Sequence, residues 1–464
     1  MTHVIALAGL ALLTACADTA TVKGASDPQA GFAFVADGTN RSTGAKAAWA
    51  QTAADVAANE ARARALVAGK TIGPDTAVQV ALMNNRGLQA AYADLGLSAT
   101  DLWETALGPR PSLELSLSGI GEAGLARSLE ATVTGAILDL ATLKPRTRIA
   151  ETHFRQAQLE ALAETLALAA ETRMAWIDAV AAFEASSLIA RAQGTAEAAS
   201  ELAAELGRTG AMNRADQARE HVFTAELAAE RAEARLEAQL AKEKLTRLMG
   251  LYGASTDFYV PDRLPSLPGR RPGRSNAEAL ALQHRVDLAI GKLELEAIAQ
   301  EYRLTSQTRR IEGAEVTAGA EVERSDDNET EVARVLQASL EIPLYDTTKL
   351  TSRRGALEYS RAAHELAQHA VNARSEARSA HAEVTGTYNI ARHWRDEVLP
   401  LRREIDSEAL KSYNGMLTST FELIEDARDG LEAQLSTAEA RADYWRAEAN
   451  LKTVIWGPPA GGDE

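Results

Sequence analysis

The sequence has one cysteine in 464 residues, and aromatic residues make up only 5% of it. A single cysteine excludes an internal disulfide. The 49 Lys and Arg residues are outnumbered by 65 Asp and Glu, which gives a net charge of −16. Because no basic stripe is available to neutralise phosphates, nucleic acid is excluded as a partner.

Motifs of catalysis are also missing. The sequence has no glycine-rich phosphate loop, no Gly-x-Ser-x-Gly elbow and no paired catalytic constellation. The histidines, including His364 and His369 at a spacing of five, form no cluster with metal-ligand spacing. The sequence therefore predicts a protein that is not an enzyme and has no cofactor and no metal site.

Ala, Glu, Leu and Arg dominate the composition, which is typical of long helices and coiled coils. One helical pattern begins near Pro145 and continues to Leu206, and sixty helical residues span about 90 Å. Glycines break it at 207–213, and a second helix covers 214–249. A similar long pattern over 346–412 is broken near Asn414, and a final helix runs to Ile455. These patterns predict two helical hairpins with tips near 207–213 and 413–418.

Two other stretches alternate apolar and polar residues, as β-strands with one oily and one wet face do. They predict β-hairpins over 111–140 and 311–344. A lone hairpin is marginal in water, whereas several copies can close into a membrane barrel with a polar, acid-bearing lumen. The alternative is an ordinary antiparallel sheet with one solvated face, since the strands lack an aromatic girdle.

The two halves are related by a 200-residue offset. Matched pairs include Ala81 with Ala281 and Leu88 with Leu288. The predicted organisation is a first repeat over 71–250, a linker over 251–274, a second repeat over 275–457 and a disordered tail over 458–464. Each repeat has the order helix, strand pair, long helical hairpin.

The N-terminus carries a short apolar run over 4–15 that predicts a signal peptide over 1–15, although Lys and Arg are missing before it. Leu-Thr-Ala-Cys at its end resembles a bacterial lipobox and predicts lipidation of Cys16. The alternative is that Cys16 is a small buried hydrophobe. Residues 16–70 are predicted to be a lipidated, extended tether with a short helix near 47–68. Because no acid follows Cys16 directly, we expect the outer membrane.

Three motifs carry a family resemblance. The first runs over 81–91 and leads to Leu-Gly-Pro-Arg-Pro-Ser at 107–112. The second is Gly210-x5-Asp216-x2-Arg219. The third is Tyr-Asn-Gly at 413–415 followed by Phe-Glu-Leu-Ile-Glu-Asp-Ala-Arg at 421–428. In this order and spacing the chain resembles the TolC family of outer-membrane efflux proteins, in its lipoprotein branch, over about 71–457.

The resemblance implies a mostly α fold with a small β part. In a homotrimer, four strands per chain would form a 12-stranded transmembrane β-barrel, and antiparallel coiled-coil helices would form a periplasmic α-barrel. It implies a passive exit duct of a tripartite efflux system for small molecules or metal ions. The partners would be outer-membrane lipid, a periplasmic adaptor and an inner-membrane pump of the RND type.

The resemblance also implies roles for tip residues. Rings of carboxylates would narrow the periplasmic entrance, and the candidates are Asp216, Glu422, Glu425 and Asp426. The alternative is a solvated helix face. Gly210 and Gly415 are expected to turn through positive φ. Met212, Met416 and Leu417 are candidates for adaptor contact, or for packing the turns.

Two alternative functions stay open. The same fold serves as the exit duct of a type I protein-secretion system. A different class would be a non-conducting, lipid-anchored periplasmic coiled-coil scaffold, which the alternating strands disfavour.

Overall fold

The computed structural model describes residues 19–110, 112–120, 126–270, 273, 276–308, 312–324, 330–341, 348–415 and 417–458. The predicted signal peptide, Cys16, Met416 and the tail over 459–464 lie outside these residues. The chain divides into two compact units. Unit 1 comprises 1–34, 92–160 and 288–368, and unit 2 comprises 35–91, 161–287 and 369–464.

The first helices are α1 (Thr19–Ala25), α2 (Phe32–Thr43) and α3 (Ala53–Val67). The prediction of an extended segment before residue 47 is therefore wrong for α1 and α2. Tertiary packing explains α2, because a Cβ on Gly38 would lie 2.8 Å from a methyl of Leu162. Such a close approach to a neighbouring helix overrides weak local propensity. The predicted helix near 47–68 is α3, which begins later because Thr52 and Asp55 form a capping box.

Each repeat then has a helix with one break. The first repeat has α4 (Pro74–Asn84) and α5 (Arg86–Leu107), and the second has α8 (Ala277–His284) and α9 (Val286–Thr308). The breaks fall at Asn85 and Arg285, where ψ is 123° and 127°. The predicted single helices over 76–106 and 276–305 are thus each two helices. The breaks are 200 residues apart, as the duplication predicts.

The four predicted strands form one antiparallel sheet. They are β1 (Ser112–Ile120), β2 (Ala126–Ala136), β3 (Glu312–Arg324) and β4 (Thr330–Glu341), in the order β1-β2-β3-β4. The hairpins of the two repeats join through β2 and β3. Leu115, Ala131 and Ala320 share one row across the strands, and Ser116, Glu130 and Glu321 share the next. The alternating apolar and acidic faces of the hairpins are confirmed.

The long helices are α6 (Ile137–Arg208), α7 (Arg214–Leu248), α10 (Thr348–His393), α11 (Leu399–Asn414) and α12 (Thr420–Trp456). The predicted uninterrupted helix over 346–412 differs, because a π-helical turn at Trp394–Val398 separates α10 from α11. Pro400 stands in the first turn of α11. A proline has no N–H to give to the preceding turn, so the helix changes its hydrogen-bonding pattern there.

The predicted linker packs against the helices of unit 2. It contains a 3₁₀ turn at Gly253–Thr256, and Phe258 and Leu264 are buried. Two aromatic side chains donate hydrogen bonds to carbonyl oxygens of the linker. Trp445 Nε1 donates to Pro265 O at 2.9 Å, and Tyr388 Oη donates to Pro268 O at 3.1 Å. Across the described residues, we find no helix that combines the length and the apolar character needed to cross a membrane.

Candidate functional site

The first tip joins α6 to α7 through a glycine turn. Gly210 has φ of +76°, a value that favours glycine. Ala211 N donates to Leu206 O at 2.8 Å, which closes the six-residue bond of a Schellman motif with Gly210 at its fifth position. The prediction that Gly210 turns through positive φ is therefore confirmed.

Asp216 lies in the first turn of α7 and is engaged in capping that helix. Asn213 Oδ1 accepts from Asp216 N at 2.9 Å, and Asn213 Nδ2 donates to Asp216 Oδ2 at 2.5 Å. Arg219 Nη1 lies 2.8 Å from Asp216 Oδ1. Both carboxylate oxygens thus have partners within the first tip, and the negative charge lies where the helix dipole favours it.

The second tip joins α11 to α12 by a different turn. Leu417 N donates to Ser412 O at 2.9 Å, so the six-residue bond recurs, but Gly415 is its fourth residue. Gly415 is accordingly the C-cap residue, with φ of −80° and ψ of 0°. The prediction of positive φ at Gly415 is wrong, because the glycine precedes by one position the place that Gly210 takes in the first tip.

Glu422 closes a capping box at the start of α12. Ser419 Oγ accepts from Glu422 N at 3.2 Å, and Glu422 Oε2 accepts from Ser419 N at 3.1 Å. Thr418 Oγ1 also donates to Glu422 Oε2. The Thr418 hydrogen bond, followed by those of Ser419, lowers the pKa of the Glu422 carboxyl below its ordinary value. This carboxylate is therefore charged and held by its own helix end.

Glu425 and Asp426 follow in the first two turns of α12. Glu425 is about half exposed, and its carboxylate lies 4.0 Å from Arg428 Nη1. Asp426 is partly buried, and its charge raises the pKa of Asp406 on α11. Of the four acids predicted from the sequence, Glu425 and Asp426 thus take no part in the helix caps, and Glu425 is the more exposed of these two.

Arg428 connects the two helical hairpins. It donates a hydrogen bond to Glu226 of α7, and its guanidinium carbon lies 4.9 Å from the centre of the Phe223 ring. Phe223 belongs to a small apolar cluster made by three helices, whose buried members are Ala196, Phe223, Leu227 and Leu431. The packing therefore holds the first turns of α12 against α7. The sequence motif over 421–428 contains Arg428, but nothing in the sequence named its partner.

Two carboxylates near the tips have buried oxygens without hydrogen-bond partners, and the sequence analysis missed both. Glu220 of α7 is 1% exposed, and both of its carboxylate oxygens are buried without a hydrogen-bond partner. Burial raises its pKa, against the effect of His221. Glu220 precedes Phe223 by three residues and Leu227 by seven, which places it on the buried stripe of the helix. This spacing was the signal in the sequence that could have identified it.

Asp406 of α11 is the second of these carboxylates. The residue is partly buried, and its Oδ1 is buried without a hydrogen-bond partner. Burial, followed by the charge of Asp426, raises its pKa, whereas Arg402 lowers it. A Cβ on Gly430 of α12 would lie 2.8 Å from Asp406 Oδ1. A glycine inside a helix, with no turn to make, was the signal in the sequence.

The apolar tip residues differ in exposure. Leu417 is 85% exposed, whereas Met212 is partly buried and its carbonyl oxygen accepts from Gln217 Nε2 at 3.1 Å. Met416 lies outside the described residues. In the part of the chain that the structure describes, no group of three or more His, Cys, Asp or Glu residues could hold a metal ion.

Acidic side chains also line one face of the sheet. Glu130 pairs with Glu321, and Glu323 pairs with Glu331. Ser128 Oγ donates to Glu321 Oε1 at 2.9 Å. Glu114 and Glu315 occupy further positions of the same face. This face is thus hydrophilic and negatively charged, whereas leucine, valine and alanine predominate on the opposite face.

The chain thus combines two long helical hairpins with one four-stranded sheet. No protein-family model and no curated protein matches the sequence. Among solved structures, the Campylobacter jejuni outer membrane channel CmeC is 15% identical over 84% of this chain and 87% of its own, with a TM-score of 0.69. The outer membrane protein VceC of Vibrio cholerae is 15% identical over 83% and 96%, with a TM-score of 0.67.

The open state of the Neisseria gonorrhoeae MtrE outer membrane channel is likewise similar. It is 16% identical over 87% of this chain and 91% of its own, with a TM-score of 0.63. At such identities the likeness concerns the fold. The mostly helical fold with four strands, which the TolC resemblance predicted, is confirmed.

Proposed function

We propose that this chain forms, as a homotrimer, the passive outer-membrane exit duct of a tripartite efflux system. The observation that carries the proposal is the sheet. Leu113, Leu115 and Leu117 are about two-thirds exposed on one face, while acids and hydroxyls occupy the other. Such a sheet suits lipid on one side and water on the other.

The open edges of the sheet support a trimer. In one chain β1 and β4 each have one neighbouring strand, so their outer edges carry unpaired backbone groups. Lipid offers those groups no hydrogen bonds, and a closed ring of strands satisfies them. Three copies with four strands each give the 12-stranded barrel that the family resemblance implies.

The duct supplies no energy of its own. An inner-membrane pump of the RND type would drive export through a periplasmic adaptor, and the cargo would be small molecules or metal ions. The acidic face of the sheet, tripled in the trimer, gives an electrostatic preference for cations.

We assign the entrance constriction to carboxylates at the tips, and the geometry supports different roles for the four candidates. The Asp216 carboxylate is held by Asn213, the N-cap residue of α7, and Glu422 closes the capping box of α12. Glu425, with about half of its side chain exposed, is the better candidate for a charged ring, and Asp426 stands beside it. Replacing Glu425 with Gln should reduce cation preference, whereas Glu422→Gln should mainly weaken the helix cap.

The turns between the helices are the proposed adaptor contacts. Leu417 offers an exposed apolar side chain, and the other candidates from the sequence are Gly210, Met212, Gly415 and Met416. Leu417→Ser should weaken adaptor binding without changing channel conductance. A cysteine placed at residue 417 should cross-link to a purified adaptor, whereas one placed at residue 359 on α10 serves as the control.

Cys16 is the proposed lipid anchor. Mass spectrometry of the mature protein should find an acylated N-terminal cysteine. An unmodified N-terminus would remove the anchor but leave the duct, since the barrel inserts by itself.

The experiment that tests the function uses the purified chain in planar bilayers, together with a deletion strain. A duct predicts a trimer with cation-preferring conductance, and a strain sensitive to metals, detergents or drugs. A trimer without conductance would favour the scaffold alternative. Conductance with normal tolerance and a missing secreted protein would favour protein secretion.

A further inference from the structure

The apolar face of the sheet, which bears Leu115, Ala131 and Ala320, includes an arginine on β4. Arg334 of β4 stands in the row of Leu115, Ala131 and Ala320, and its side chain is exposed. Among the described side chains of this face, it alone is charged. Its neighbours on the same face of β4 are Val332, which is 61% exposed, and Leu336, which is 80% exposed.

The described acidic side chains of the sheet lie on the face opposite to Arg334. Glu321 pairs with Ala333, and Glu323 pairs with Glu331, in rows of the opposite face. Because successive side chains on a strand point to opposite faces, the backbone separates Arg334 from these carboxylates. The apolar rows of β1 at the other sheet edge hold leucines, so a neighbouring copy that pairs through β1 would bring no acid to it either. Within the described part of the sheet, no carboxylate is therefore placed to pair with Arg334, which leaves its charge available to a group outside the protein.

Arg334 lies near the hairpin end of the strands, which is the end away from their helices. It follows Thr330, the first residue of β4, by four positions, or about 13 Å along a strand. Strands of membrane barrels are tilted by about 35–45°, so the depth below the end is smaller. Arginine positions also stand at the ends of β2 and β3, at Arg127 and Arg324.

A long arginine side chain can lie along apolar surface and carry its guanidinium to the polar boundary. An arginine on the lipid face costs most at the middle of the bilayer and little near its surface. At that surface the available anions are headgroup phosphates, and the planar guanidinium matches a phosphate with two parallel hydrogen bonds.

We propose that Arg334 binds the phosphate of a membrane lipid headgroup at the hairpin end of the strands. This inference rests on the proposed function, because it requires the apolar face to contact lipid. The bound lipid fixes the depth of β4 in the bilayer and supplies the missing negative charge.

Native mass spectrometry of the trimer, released from nanodiscs of phosphatidylglycerol and phosphatidylcholine, tests the proposal. Arg334→Gln should retain about tenfold less phosphatidylglycerol than the wild type, as expected for one lost charge-assisted contact. Arg334→Lys, which keeps the charge but loses the planar fork, should fall between them. Arg354→Gln on α10, at an arginine that is 78% exposed, is the matched control and should retain lipid normally.

Equal lipid retention by the wild type and Arg334→Gln would overturn the proposal. It would also be overturned if millimolar inorganic phosphate abolished the difference in lipid retention between the two proteins, because the site would then belong to free phosphate. Conductance of the same preparations separates this proposal from the function. Lipid retention that depends on Arg334 without conductance would contradict the duct alone, and conductance with retention independent of Arg334 would contradict the lipid site alone.

Discussion

Arg428 on α12 donates a hydrogen bond to Glu226 on α7, and through this pair the second helical hairpin contacts the first beside its tip. Both side chains are about half exposed. Such a pair contributes about 0.2–1 kcal/mol, because water and salt screen it. The Arg428–Glu226 pair therefore matters less for overall stability than for the contact between the two hairpins. A free energy of up to about 1 kcal/mol is enough to shift an equilibrium between two arrangements of the tips.

Loss of this pair should favour an open entrance. Replacing Arg428 with Ala is expected to raise resting conductance in planar bilayers by up to about fivefold per protomer, the factor that about 1 kcal/mol allows. Glu226→Gln should act in the same direction, and the double variant should add little to either. Additive effects of the two substitutions, or unchanged conductance in both single variants, would show that the Arg428–Glu226 pair does not control the entrance.

The two tip glycines should respond differently to alanine. Gly210 has φ of +76°, so Gly210→Ala should destabilise the first tip by about 1 kcal/mol. Gly415 has φ of −80°, and Gly415→Ala should be neutral within about 0.5 kcal/mol. Hydrogen exchange of the amides on each side of the substituted glycine measures both effects. Equal losses at the two positions would contradict the turn geometry.

Much of the fold was predictable because its elements have strong periods. The alternation over Ser112–Ser118 and over 314–322 follows from the two faces of a strand, and the faces recur in the observed register. The 200-residue offset placed equivalent helices correctly in both repeats. These signals arise from burial of one face, which sequence patterns record directly.

The predictions that were wrong have identifiable structural causes. The packing of Gly38 against Leu162 on α6 and the backbone break at Arg285 depend on contacts distant in sequence. At the second tip the motif Tyr-Asn-Gly was recognised, but a shift of one position moved Gly415 out of the left-handed region. For the carboxylates, composition could not distinguish Glu422, which caps a helix, from Glu220, which is buried.

Gly430 is required by the carboxylate of Asp406. A Cβ at residue 430 would approach Asp406 Oδ1 to 2.8 Å and Oδ2 to 2.9 Å, and overpacking of this kind costs about 1–3 kcal/mol. Gly430→Ala alone should lower the thermal midpoint of the trimer. In an Asp406→Ala background the same change should raise it, because alanine favours a helix by about 1 kcal/mol over glycine. A Gly430→Ala effect of the same sign in both backgrounds would refute the steric explanation.

Glu220 should make the first tip more stable at low pH than at neutral pH. Burial raises its pKa in the folded chain above the ordinary value of 4.5, so the folded state prefers the protonated form. The stability that this preference provides is complete below about pH 4.5. It declines as the pH rises from there through the raised folded pKa, because the unfolded segment ionises first.

Glu220→Gln removes the ionisable group and keeps the shape of the side chain. The first tip of the variant should be about 1–2 kcal/mol more stable at neutral pH, because the substitution removes a buried charge that has no partner. Its stability should also no longer decline as the pH rises above about 4.5. Hydrogen exchange of the α7 amides around residue 220, corrected for the intrinsic pH dependence of exchange, measures both effects. Glu230→Gln, at an exposed position of the same helix, is the control and should leave the pH profile unchanged. A wild-type profile in Glu220→Gln would mean that other groups cause the pH dependence.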